Sequence, residues 1–73
     1  MTRADLESGG PPLRVREVAR LLGVSKKKVM ADAAAGLVVV ERVRCGVRWM
    51  GLIHRAEVLR YLEAIDFRWP MVG

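Results

Sequence analysis

A single cysteine, Cys45, stands in this chain of 73 residues. It can neither close an intramolecular disulfide nor supply a metal cluster, so a reducing, cytoplasmic setting is the expectation. Aromatic residues are few, only Trp49, Tyr61, Phe67 and Trp69, so Val, Leu and Ala must fill whatever core exists. No apolar run approaches the roughly 20 residues that cross a bilayer, and the N-terminus shows no apolar stretch of the kind a signal peptide needs. Also missing are a paired carboxylate at useful spacing, a nucleophile beside a base and a phosphate-cradling glycine loop. Gly9-Gly10 and Gly46 are isolated and read as linker and turn. The one histidine, His54, has no second metal ligand near it and falls where a helix cap belongs. The expectation is a protein without catalytic residues, bound metal or cofactor.

What is present is a hydrophobic fraction of 52%, enough for a core, and a net charge of +5. The charge is unevenly spread. Residues 11–55 hold ten Lys or Arg against Glu17, Asp32 and Glu41, a local excess of +7, whereas the segments on either side are each −1. A polyanion is the natural partner for such a concentration.

Residues 1–12 end in Gly9-Gly10-Pro11-Pro12 and read as a flexible arm. Val15, Val18, Ala19, Leu21 and Leu22 recur at helical spacing and predict a first helix over 15–22. Gly23 suits the left-handed residue that ends a helix, Val24 an apolar pin between two helices, and Ser25 an N-cap. A second helix is expected from Lys26 to about Ala35, stopping at Gly36. Val29, Ala33 and Met30 would face inward and Asp32 outward or into close packing. Lys26, Lys27 and Lys28 oppose the macrodipole at that helix's start, a placement that favours an anionic partner, although a solvated charge run has the same appearance.

From Val38 the chain turns β-branched. Val38 to Arg44 and Val47 to Ile53 predict a hairpin turning at Cys45-Gly46, with Arg42, Arg44 and Arg48 near its tip. Gly51 inside the return strand suggests a bulge or a close backbone contact. Trp49 reads as packing across the hairpin rather than stacking on a base. A last helix is expected from Arg55 to Asp66, with Val58, Leu59, Leu62 and Ile65 on one face and Tyr61 at its margin. The tail 67–73 carries Phe67, Trp69 and Met71, which either fold back on that helix or form a docking peptide for a protein partner.

Three segments have a further significance: Val15-Arg16-Glu17-Val18-Ala19-Arg20-Leu21-Leu22-Gly23-Val24-Ser25; Val29 with Ala35-Gly36-Leu37; and Ile53 to Leu62. In their order and spacing, over about residues 13–64, the chain resembles the excisionase-type, MerR-like winged helix-turn-helix domains, which include the phage excisionases. Arg14 stands where that family usually has a Ser or Thr cap. Ala31 and Asp32 stand where many members carry large or basic groove-reading side chains, and the hairpin lacks a Gly-Gly-Arg-Arg tip.

The fold expected is mostly α with a small β-hairpin, a winged helix-turn-helix over 13–66 followed by the apolar tail. The resemblance implies an architectural factor that binds and bends double-stranded DNA beside a phage attachment site, self-associates along repeated sites and assists an integrase. The residues expected at DNA are Arg14, Arg16, Arg20, Ser25, Lys26, Lys27, Lys28, Arg42, Arg44 and Arg48. A small MerR-like transcriptional regulator and a winged-helix protein-interaction adaptor are the alternatives.

Overall fold

A computed structural model describes residues 2–69. Among them are four helices and a three-stranded antiparallel sheet, a mixed α/β layout that contains the three helices and the hairpin expected and adds one short helix and one short strand. No helix is long and apolar enough to cross a membrane among the described residues.

The flexible arm expected over residues 1–12 instead contains α1 (Arg3–Glu7). Thr2 and Asp5 form a reciprocal capping box, each side chain accepting from the other's backbone N–H. Leu6 is buried in the core. Arg55 ties the segment down, donating to the carbonyls of Asp5 at 2.6 Å and Pro11 at 3.0 Å. A two-residue strand, β1 (Leu13–Arg14), follows and runs directly into α2 (Val15–Leu22).

The bounds of α2 are those that its periodicity predicts, and Val15, Val18 and Ala19 are its buried stripe. Gly23 takes φ +72°. The Val24 N–H bonds the Ala19 carbonyl at 3.0 Å and the Gly23 N–H that of Arg20, a Schellman ending. Val24 itself is 39% exposed, so the turn is fixed by these backbone bonds and not by an apolar pin.

Next comes α3 (Lys26–Ala34), capped by Ser25 Oγ, which accepts from the Lys28 N–H at 3.3 Å. It ends as α2 does, with Gly36 at φ +85° and the Leu37 N–H on the Asp32 carbonyl. One inward assignment is reversed, and of the two places open to Asp32 the inner one is taken. Met30 lies at the surface, 39% exposed, and Asp32 lies inside, 7% exposed. The cause is Tyr61, whose hydroxyl donates to Asp32 Oδ2 at 2.5 Å from within the core. A polar group that finds such a donor inside no longer has to face water.

The hairpin consists of β2 (Glu41–Cys45) and β3 (Arg48–Ile53), paired from Glu41↔Leu52 to Cys45↔Arg48. Its first strand starts at Glu41, not Val38. Val38 is buried as an anchor, and the Val39 N–H donates to Glu57 Oε1 at 3.1 Å. The other edge of β3 pairs with β1, Leu13↔Ile53 and Arg14↔Leu52, so the sheet order is β1-β3-β2 and β3 is central.

The last helix, α4 (Arg55–Ala64), ends two residues before the expected Asp66 and buries Val58, Leu62 and the whole of Tyr61, which was expected only at the margin. Phe67 and Trp69 fold back and pack on the core, edge to face at 5.3 Å between ring centroids. Met71 lies outside the described residues.

Candidate nucleic-acid interface

The start of α2, the start of α3 and the hairpin border a groove of about 720 Å³. Arg14 and Arg16 come from the first, Lys26 and Met30 from the second, and Val40, Arg42, Cys45, Arg48, Trp49, Met50 and Gly51 from the hairpin side, with Val15 between them. Five cationic side chains therefore line one groove, and no carboxylate does.

Local structure explains the convergence. Arg14 pairs with Leu52 through β1 and is also the N-cap of α2, where its side chain makes no capping bond. Its side chain lines the groove instead, next to the positive end of the α2 dipole. Lys26 is the first residue of α3, so a second helix N-terminus adds to the field. Gly51 lets the hairpin approach: a Cβ there would lie 2.9 Å from Val15 Cγ2 and 3.0 Å from Val40 Cγ1. The close contact read from the sequence at Gly51 is thus the seam between hairpin and helices.

Comparison of the chain with protein-family models, curated proteins and solved structures finds no match. The geometry carries the argument alone.

Of the ten residues expected at DNA, Arg14, Arg16, Lys26, Arg42 and Arg48 share the groove. Arg20 and Lys27 are exposed but do not line it. Three others are engaged within the protein. Ser25 Oγ caps α3. Lys28 Nζ lies 3.0 Å from Asp32 Oδ1, an i,i+4 pair. Arg44 donates from Nε to the Gly46 carbonyl at 3.1 Å, and its guanidinium lies 6.0 Å from the Trp49 ring centroid. Arg44 therefore clips the hairpin tip, where Gly46 takes φ +64° in the two-residue turn.

Asp32 joins the site's support to its charge. The Tyr61 hydroxyl, and then the Lys28 ammonium, hold its carboxyl below the usual carboxylate value. Burial, and then the bond to Asp32, push the Tyr61 hydroxyl up, so it stays a donor at every ordinary pH. The result fastens α3 to α4. It also turns inward an acid that would otherwise stand on the exposed face of α3.

His54 does precede α4 at the capping position, but its ring makes no capping bond. Its Nε2 lies instead 2.5 Å from Glu41 Oε2, linking the start of β2 to the start of α4. Sequence reasoning missed Met30, Trp49 and Met50 as groove residues. Trp49 does stand opposite Arg44 in the hairpin register, as cross-hairpin packing requires, yet it is 64% exposed.

Proposed function

We propose that the chain is a double-stranded DNA-binding protein of the winged helix-turn-helix type, with α3 as the helix that meets DNA and the β2–β3 hairpin as the wing. The observation that carries this reading is the groove between them, lined by five cations and no carboxylate. Phosphate contacts of this kind give affinity and orientation without reading sequence.

The finer proposal is an excisionase-like recombination directionality factor, which binds and bends DNA near a phage attachment site and assists integrase-mediated excision. Its support is the poverty of α3 in base-reading groups. Beyond its lysines the helix offers Met30, Ala31 and Ala34 at its surface, and Asp32 is turned inward. Such a helix grips phosphates, and specificity then rests on DNA deformability and repeated sites.

A gel-shift titration tests the binding. Five neutralised phosphates at about −0.9 each predict a log–log salt slope near −4.5, roughly a 500-fold loss of affinity between 50 and 200 mM salt. Lys26→Ala should flatten the slope by about one unit. Lys28→Ala should change it less, because Asp32 already holds that ammonium. A salt-independent affinity would overturn the reading. Footprinting then tests the finer proposal: tandem direct repeats beside an attachment site support it, and an isolated palindrome would mark a MerR-like regulator.

A further inference from the structure

The groove is not uniformly polar. Among its cationic side chains the groove also presents two exposed apolar ones, Trp49 and Met30. The indole of Trp49 is 64% exposed and makes no hydrogen bond among the described residues, and the hydrophobic core does not include it. An exposed tryptophan among cationic side chains is the composition of a recognition hot spot. Its orientation is fixed beforehand by the strand register opposite Arg44 and by that guanidinium near its ring, itself tied to the Gly46 carbonyl. Met30, which lines the same groove from α3, is an adaptable surface that can shape itself to a flat partner.

A continuous B-form duplex hides the faces of its bases and offers a protein only edges, sugars and phosphates. A broad aromatic plane can bury most of its area against a base only where the stack has opened. We propose that Trp49, with Met30 across the groove, is a stacking site for a nucleotide displaced from its helix, so that the groove prefers DNA with a locally disrupted stack to continuous duplex. The base lies on Trp49, and its flanking phosphates lie on the arginine and lysine rim. This inference rests on the DNA-binding reading and adds the class of DNA to it. Stacking is not an ionic contact, so the preference should persist when salt weakens the binding as a whole.

The test measures full-length protein by fluorescence anisotropy against a labelled 20-base-pair duplex and the same duplex carrying one unpaired adenine, at two salt concentrations. The expected result is tighter binding to the bulged duplex, by roughly five-fold or more, at both salts. Trp49→Ala should bring the ratio of the two affinities toward one, and Trp49→Phe should keep most of it. Equal affinities in the wild type overturn the inference, as does a Trp49→Ala protein whose ratio is unchanged. Tighter binding of the corresponding single strand than of the bulged duplex also overturns it. Salt-dependent binding to continuous duplex with no preference leaves the DNA-binding reading standing, whereas no salt-dependent binding to either DNA removes that reading itself.

Discussion

Gly51→Ala probes the seam on which the groove depends. The added methyl would sit 2.9 Å from Val15 Cγ2 and 3.0 Å from Val40 Cγ1. Carbon atoms pack best at roughly 3.5–4.0 Å, so both contacts are too short by about half an ångström or more. Neither neighbour yields easily. Val15 is a β-branched residue at the first position of α2, buried and restricted to few rotamers. Overpacking of this kind costs about 2 kcal/mol. One effect opposes it: Gly51 does not occupy the left-handed region, so alanine restricts the unfolded chain there and recovers about 0.5 kcal/mol. The net loss is about 1.5 kcal/mol, which in a domain of this size lowers Tm by about 6–12 °C.

A partner substitution separates steric conflict from general weakening. Val15→Ala alone removes two buried methyl groups and should cost about 2 kcal/mol. In the double variant the new methyl at position 51 occupies part of the vacated space. The combined loss should then fall short of the sum by about 1 kcal/mol, the residue of strain being against Val40. Thermal and urea unfolding of the four proteins, followed by circular dichroism, gives each value. A Gly51→Ala protein that melts with the wild type, or losses that add within about 0.5 kcal/mol, would refute the argument.

Tyr61→Phe should lower the urea midpoint at neutral pH, because the buried Asp32 carboxylate loses its core donor. The folded-state pKa of Asp32 is depressed, so the stability it contributes is present above its ordinary value of 3.8 and is lost as pH falls through the folded value. The gap between wild type and variant should therefore narrow below about pH 4. Asp5 and Glu57, also held low, titrate equally in both proteins, and a gap constant down to pH 2 would contradict this account. Leu6→Ala should cost roughly 2–5 kcal/mol, and deleting residues 1–8 at least as much. A truncated protein with an unchanged unfolding midpoint would show that α1 is dispensable.

The parts of the fold legible in the sequence are those whose causes are local. The apolar spacing of Val15 to Leu22, the glycines at 23 and 36 and the cap at Ser25 each act within a turn or two, and the helices end where these residues say. The parts that were not legible depend on partners far along the chain. Two residues cannot show an alternating pattern, so β1 becomes a strand only because Ile53 and Leu52 are there to pair with it. Asp32 is inside because of a hydroxyl 29 residues away. The capping box of Thr2 and Asp5 was available to read, but a five-residue helix persists only when docked, and Leu6 and Arg55 supply the docking. At the groove, the excess of charge over residues 11–55 was plain. Which cations remain free was not, since Arg44 is held by a carbonyl at a turn that exists only once the hairpin forms.

The central position of β3 has a mechanical consequence. One edge of the strand holds β2, and the other holds the residues that begin α2. Glu41 is linked to His54, and Val39 to Glu57, so the hairpin base is also pinned to α4. The start of α2 and the hairpin are therefore joined through one hydrogen-bonded sheet. A groove whose sides are tied together in this way has less ordering left to do when a ligand binds. On the proposed reading the deformation then falls mainly on the DNA. Bending a site costs roughly 1–6 kcal/mol depending on its sequence. A stiff protein of this kind would consequently favour sites with flexible pyrimidine–purine steps without touching a base at those steps.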